Sequence, residues 1–140
     1  MKFRKAFQSD LEAIKSIDHV VTEEAGRTRF IEDAVLEGAV LLLLVDDISV
    51  GYSVLRHHFF ENAFIEMVYL RDDMRGKGYG AALLNETETL ARTAKIFSST
   101  NQSNDRMRRV FIREGWRESG IIENLDEGDP EIVYFKRVNE

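Results

Sequence analysis

Seven stretches of the chain carry strand-like spacing of apolar residues and four carry helical spacing. From Lys2 to Phe7 charged and apolar residues alternate, so one face of a first strand points into a core. Ser9 and Glu12 form a capping box, and a helix is expected to begin there. Leu11, Ile14, Ile17 and Val21 then fall along one helical face. After a break at residues 23–26, a second helix turns Phe30, Ile31, Ala34 and Val35 inward, and Gly38 is placed to stop it. Ala39 to Val45 is an unbroken apolar run of strand length, the pattern of a strand buried on both faces. Asp46-Asp47 turns the chain into a third strand, Ile48 to Phe59, in which Gly51 marks a bulge. Glu61-Asn62 turns it again into a fourth strand, Ala63 to Leu70. A helix is expected over Ala81 to Lys95, with Leu83, Leu84, Leu90, Ala91 and Ala94 at helical spacing. Ile96 to Thr100 is a short fifth strand. Asn104 heads a last helix with Met107, Val110, Phe111 and Glu114 along one side, and Gly115 ends it. Trp116 to Ile122 and Glu131 to Val138 read as two antiparallel strands joined by an acidic loop, Glu123 to Pro130. This order predicts an α/β domain, a mixed sheet with helices on both faces. No repeat or linker interrupts it, so residues 1–140 read as a single domain.

The stretch Arg75-Gly76-Lys77-Gly78-Tyr79-Gly80-Ala81 carries the most chemistry. It links the fourth strand to a helix start, where backbone N–H groups lack partners and the helix dipole is positive. Such a turn is an anion site, above all for phosphate. Glycine lets the backbone come close to a ligand, and Arg75 and Lys77 add positive charge. A Walker loop would need Gly, four residues and then Gly-Lys-Ser/Thr, and no such run exists here. Gly76, Gly78 and Ala81 do satisfy the dinucleotide pattern G-x-G-x-x-G/A. That fold also wants an acidic residue about 20 positions on, closing the next strand. Here the next strand ends in Ser98, Ser99 and Thr100. A third pattern, Arg/Gln-x-x-Gly-x-Gly/Ala, fits Arg75, Gly78 and Gly80.

In this setting the third pattern resembles the GNAT superfamily of acyl-CoA-dependent N-acyltransferases, in which successive loop amides wrap the pyrophosphate of coenzyme A. The strongest match is Ile65-Glu66-Met67-Val68-Tyr69-Leu70, the turn Arg71-Asp72-Asp73-Met74, and Arg75 to Leu84. A second block, Asn104 through Gly115-Trp116, is similar to the family's last helix and its exit. The resemblance spans nearly the whole chain. It implies a mostly antiparallel sheet of about seven strands, splayed between the fourth and fifth. It also implies acetyl-CoA as cosubstrate, without metal. Arg75, Gly76, Lys77, Gly78, Tyr79, Gly80 and Ala81 would hold the pyrophosphate. The pantetheine arm would pair with Met67, Val68, Tyr69 and Leu70. Asn104 matches a side-chain contact to the cofactor, and plain helix capping explains it equally well. The implied reaction is acetyl transfer to an amine of a small molecule or peptide. A free alkylamine has a pKa of about 10.4, so only about one in a thousand is nucleophilic near neutral pH. A proton must be removed, and Glu66 is the candidate base. An exposed strand position or a structural hydrogen bond would explain Glu66 as well. The Val68 N–H would polarise the thioester oxygen. The chain departs from the family at Phe111, where many members place the tyrosine that protonates the leaving sulfur. Phe111 would then pack beside the pantetheine end, leaving water or a tyrosine such as Tyr134 as proton source. A noncatalytic acyl-CoA-binding module is the alternative that Phe111 supports. A nucleotide-binding protein of another kind is the second.

Composition narrows the partners. A net charge of −6 argues against nucleic acid. The longest apolar run is too short to span a bilayer, so no membrane partner is expected. The absence of cysteine excludes disulfides and thiolate metal sites and fits a cytoplasmic location. Glu23, Glu24, Glu123, Asp126, Glu127 and Asp129 could form an acidic rim favouring a cationic acceptor, or simply be solvated loop. Arg27 and Arg29 would argue the other way if they point inward. His57 and His58 face opposite sides of a strand and cannot chelate one metal together. A homodimer through the last strands is conceivable.

Overall fold

The computed structural model describes residues 1–139. Seven strands form one sheet: β1 (Lys2–Lys5), β2 (Val40–Val45), β3 (Ile48–Phe59), β4 (Asn62–Leu70), β5 (Lys95–Asn101), β6 (Arg117–Ile122) and β7 (Glu131–Arg137). The helices are α1 (Leu11–Ile17), α2 (Ala25–Leu36), α3 (Tyr79–Glu88) and α4 (Asp105–Arg113). Short 3-10 turns occupy Gln8–Asp10, His19–Thr22 and Asp72–Met74. The strand order is β1-β2-β3-β4-β5-β7-β6. The β1/β2, β2/β3, β5/β7 and β6/β7 pairs are antiparallel, whereas β4 and β5 run parallel. The β4/β5 ladder holds Ala63, Phe64 and Ile65 against Ile96, Phe97 and Ser98 and then stops. This is the expected split between the fourth and fifth strands. Within the stretch expected as a single domain, the chain divides into two compact units. One comprises Met1–Leu55 and Met67–Thr87, the other Arg56–Glu66 and the chain from Glu88 onward.

In the first unit the unbroken apolar run of β2 serves two faces. Val40, Leu42 and Leu44 pack with Ile14 and Ile17 of α1 and Ile31, Ala34 and Val35 of α2. Leu41 and Leu43 point the other way, to Val50 and to Leu83 of α3. Successive strand side chains alternate between faces, so a strand covered on both sides must be apolar throughout. The turn into β3 is Asp46-Asp47, both at positive φ, as a two-residue hairpin of this hand requires. The next turn is Phe60-Glu61, one residue earlier than expected. The bulge forms where Gly51 marked it. Leu43 pairs with Gly51 and Leu44 with Ser49, which leaves Val50 as the extra residue. A Cβ at Gly51 would lie 2.9 Å from the Tyr69 carbonyl oxygen, so β4 can approach only a glycine there.

The second unit is built around Phe111 of α4. Its ring stacks on Tyr134 of β7 at 4.5 Å between centroids and meets Trp116 edge-on at 5.2 Å. All three are almost wholly buried. The helix ends as the sequence indicated. The Gly115 N–H donates to the Ile112 carbonyl and the Trp116 N–H to that of Phe111, the bond pair of a glycine-terminated helix. Elsewhere in the unit Phe59, Phe64, Phe97 and Phe135 form a run of ring contacts across β3, β4, β5 and β7. Every residue of the edge strand β6 is exposed.

Two helix boundaries differ from the sequence reading. The expected Ser9–Glu12 capping box does not form, and α1 starts at Leu11. Asp10 organises the turn instead, accepting the Phe7 N–H at 2.7 Å and gripping Arg4 through two bonds of 2.8 and 2.9 Å. The helix expected over Ala81 to Lys95 is α3, and it stops at Glu88. Leu90 kept helical spacing but is half exposed. Two groups outside the helix hold the chain beyond it. His57 Nε2 accepts the Arg92 N–H at 3.1 Å, and Thr93 Oγ1 accepts the Ala63 N–H at 3.1 Å. Among the described residues no helix is long and apolar enough to cross a membrane.

Arg4, and then the Phe7 N–H, hold the Asp10 carboxyl below its ordinary range against an opposing effect of burial. A carboxyl depressed in the folded state adds stability above its unfolded pKa of about 3.9 and loses it as pH falls through the lower folded value. Urea unfolding followed from pH 6 to pH 2.5 is therefore expected to show a shallower acid loss in Asp10→Asn than in the parent. Parallel profiles would contradict the assignment.

Candidate functional site

The glycine-rich stretch lies where β4 ends and α3 begins. The 3-10 turn Asp72–Met74 leads into it. Gly76 and Gly78 both adopt left-handed conformations, φ 77° and 85°. A Cβ at either would meet nothing within 4 Å, so backbone shape, not crowding, selects glycine here, and the space beside them is open. The first helical bond of this segment runs from the Ala82 N–H to the Gly78 carbonyl at 3.2 Å. The amides of Tyr79, Gly80 and Ala81 precede any such bond and have no acceptor among the described residues. They stand at the positive end of a ten-residue helix. Lys77 is exposed beside them. Arg75 instead curls back. It donates to the Leu70 carbonyl at 3.2 Å, pairs with Asp72 at 3.2 Å and lies over the Tyr69 ring.

The second half of β4 presents two faces. Met67 and Tyr69 join the core under α1 and α2, whereas Val68 and Leu70 join the cluster with α3. Met67 to Leu70 all lie past the last β4/β5 pair. Thus the first unit gathers Met67, Val68, Tyr69, Leu70 and the loop residues 75–81. Glu66, Asn104 and Phe111 belong to the second unit. Glu66 forms an ion pair with Arg56 at 2.5 Å, the structural bond that the sequence left open. Asn104 caps α4, its Oδ1 accepting the Met107 N–H at 3.1 Å. Phe111 has no exposed surface, and its ring is enclosed by Tyr134 and Trp116. Tyr134 is equally buried, and its hydroxyl accepts from Arg108 Nε at 3.2 Å. The acidic loop is partly tied down: Asp126 accepts from Asn101, and Asp129 accepts from both the N–H and hydroxyl of Ser103. Glu23 and Glu24 are exposed. Among the described residues no cluster of three or more histidines and carboxylates is arranged to hold a metal.

Sequence reasoning missed a polar cluster under α1 and α2. Asp18 is fully buried. It accepts the Tyr52 hydroxyl at 2.5 Å and the Val20 N–H at 3.0 Å, and Arg27 Nε lies 3.4 Å away. The Arg27 guanidinium sits over the Tyr69 ring, and its Nη1 donates to Met67 Sδ at 3.6 Å. Tyr52 and Tyr69 stack at 6.1 Å. The Tyr69 hydroxyl bonds His19 Nδ1, with Asp72 3.9 Å from the same nitrogen. Burial, and then Asp18, push the Tyr52 phenol upward, so it stays protonated and donates. Burial likewise raises Tyr69. A signal for the cluster existed: Asp18 falls four residues after Ile14, on the apolar face of the first helix. An acidic residue at such a position needs a buried partner.

A family model described as the acetyltransferase (GNAT) family matches residues 5–116. A crystal structure of a GNAT-family acetyltransferase from Bacillus cereus shares 35% identity, with 99% of this chain and 98% of that one covered, at a TM-score of 0.91. Ard1 from Thermoplasma volcanium has the same fold at 19% identity, with coverage of 99% and 98% and a TM-score of 0.84. So does a putative acetyltransferase, yncA, from Salmonella typhimurium, solved with acetyl-CoA. There the identity is 21%, coverage 100% and 95%, and the TM-score 0.78. No curated protein matches the sequence.

The buried cluster makes its own prediction. Removing one member of a buried ion pair strands the other, at a cost of about 3–5 kcal/mol. Asp18→Ala is expected to lose stability on that scale in urea denaturation. A loss below about 1 kcal/mol would show that Arg27 does not depend on Asp18.

Proposed function

The chain belongs to the GNAT family of acetyl-CoA-dependent acetyltransferases, and from that premise we propose that it moves an acetyl group from acetyl-CoA to a primary amine of a small molecule or peptide, by direct attack within a ternary complex. One observation carries the reading. Two left-handed glycines and three unbonded amides stand at the start of α3, directly after β4. In the proposal the amides from Lys77 to Ala81 take the pyrophosphate and Lys77 adds positive charge, while Arg75 would have to leave Asp72 to join it. The pantetheine amides pair with the backbone of Met67 to Leu70, which the β4/β5 ladder leaves free of a β5 partner.

The chemistry rests on two groups of β4. The Val68 N–H donates to the thioester oxygen as charge develops there, a contribution of about 2.7–4 kcal/mol for one such donor. Glu66, two residues earlier and on the same side of the strand, takes the proton from the amine. Arg56 pairs with that carboxylate at 2.5 Å and fixes its position on the strand. Phe111 cannot protonate the departing sulfur. A thiol of pKa about 8.5 leaves readily as thiolate and can draw its proton from water. No metal takes part, and the setting proposed is cytoplasmic, without nucleic acid or membrane. The alternative is a noncatalytic acyl-CoA sensor, favoured by the enclosed phenylalanine at position 111.

Calorimetry with acetyl-CoA, joined to a screen of amines for released thiol, separates these readings. Saturable binding with turnover on at least one amine is expected. Binding without turnover on any amine would favour the sensor, and no binding would end both. Gly78→Val places a β-branched residue at φ 85°. Left-handed backbone costs such a residue about 1–2 kcal/mol, so coenzyme A affinity should fall about tenfold or more. An unchanged affinity would remove the loop from the binding account.

A further inference from the structure

Resting on this acetyl-transfer reading, we propose that the acceptor amine also carries a carboxylate or a similarly shaped oxyanion, and that Arg27 holds it. Of the two arginines that follow the first helix, only Arg27 turns inward. Its side chain keeps 14% exposure, against 87% for Arg29. A guanidinium offers five N–H donors in a planar fork. Among the described residues no oxygen accepts a hydrogen bond from the fork of Arg27. Its Nε is buried and bonds to nothing. The 3.4 Å separation from Asp18 is close enough for charge attraction without making a hydrogen bond. Asp18 is already committed to the Tyr52 hydroxyl and the Val20 N–H. The acceptor of Nη1 is the Met67 thioether, a weak one. The fork is therefore charged, largely withdrawn from water and short of oxygen partners. A carboxylate fits it in shape and charge.

The surroundings agree. Arg27 stands in the first turn of the twelve-residue helix α2, which has no acidic residue in that turn and no side-chain cap from Glu24. The helix start thus adds its own positive end. A Cβ at neighbouring Gly26 would meet nothing within 4 Å, so the space there is open. Met67, touched by Nη1, precedes Val68, whose N–H faces the thioester in the proposed reaction. An oxyanion held by Arg27 therefore keeps an amine of the same molecule beside the acyl carbon. Glu23 and Glu24, exposed on the preceding turn, suit the ammonium form of that amine on its way in.

The test pairs amino acids with their amides: alanine, methionine, phenylalanine and glutamate against the corresponding α-carboxamides. Each pair keeps the side chain and replaces the carboxylate; the amide's amine is the weaker base and so the more neutral one, which works against the expected preference for the acid. Acetyl-CoA turnover by the parent is expected to favour the acid by about tenfold or more in kcat/KM. Arg27→Lys keeps a positive charge opposite Asp18 but loses the fork. It is expected to bring that ratio to within threefold while thermal stability and coenzyme A affinity stay near the parent values. Amides or plain alkylamines turned over as well as the acids would overturn the carboxylate assignment and leave acetyl transfer standing. An acid preference that survives Arg27→Lys would overturn the role of Arg27. A parent that binds acetyl-CoA yet releases no thiol with any amine would overturn the acetyl-transfer reading and this one with it.

Discussion

A carboxylate with no access to water sits between the first two helices and the sheet, and the arrangement of the first unit follows from the need to satisfy it. Asp18 would be intolerable as an isolated buried charge. Tyr52 on β3 and the Val20 N–H supply hydrogen bonds, and Arg27 on α2 supplies the opposite charge. Those partners come from a strand, a 3-10 turn and a helix, so one acid fixes three elements together. The segment between α1 and α2 is thereby laid against the second half of β4. His19 reaches the Tyr69 hydroxyl and Arg27 reaches both the Tyr69 ring and Met67 because of it. A hydrophobic contact could have supplied the same stability, but not the same orientation of a guanidinium.

Much of this fold is legible from local pattern, since local pattern is set by period and turn chemistry. The unbroken run of β2, the double aspartate turn, the bulge at Gly51 and the glycine end of α4 each depend on residues within a few positions of one another. The failures are equally physical. Ser9 and Glu12 have the spacing of a cap, but Asp10 reaches the Phe7 N–H and Arg4 together and wins the turn. Leu90 and Ala91 continue the helical period, but bonds from His57 and Thr93 take the chain away. In each case a partner outside the window of the pattern decided the outcome. Part of the candidate site was legible for the same reason: a glycine-rich turn after an apolar strand is a local signal. Of the Asp18 cluster only the acid's place on an apolar helix face was legible; Tyr52 and Tyr69, which complete the cluster, lie 34 and 51 residues further along the chain.

Position 111 shows packing and chemistry competing for one side chain. The ring closes the core of the second unit against Tyr134 and Trp116, and Trp116 is held there by the same bonds that end α4. A hydroxyl on that ring would need a polar partner inside a wholly buried aromatic cluster, at a cost of about 1–3 kcal/mol if none were found. Phenylalanine is thus well explained by the core alone. On the proposed acetyl-transfer reading, the proton that a tyrosine at this position would supply would come from solvent, which is chemically easy for a thiolate and would be hard for a poorer leaving group.

Net charge and local charge give opposite indications of the acceptor, and the local arrangement is the better guide. Six excess negative charges spread over the chain act through water and salt, which screen exposed groups beyond about 8–10 Å. Two of the six acids first read as a rim are engaged elsewhere: Asp126 and Asp129 brace their own loop against Asn101 and Ser103. Arg27 is a single charge already faced by Asp18 at 3.4 Å, but its guanidinium is largely desolvated and its Nε has no acceptor, and a hydrogen bond from such a donor is stronger than one made in water. Its exposed acidic neighbours Glu23 and Glu24 do not cancel this effect, because they stand in solvent while the guanidinium does not. A molecule bearing both an ammonium and a carboxylate would satisfy the two signs at once, the cation meeting the rim and the anion meeting the buried fork.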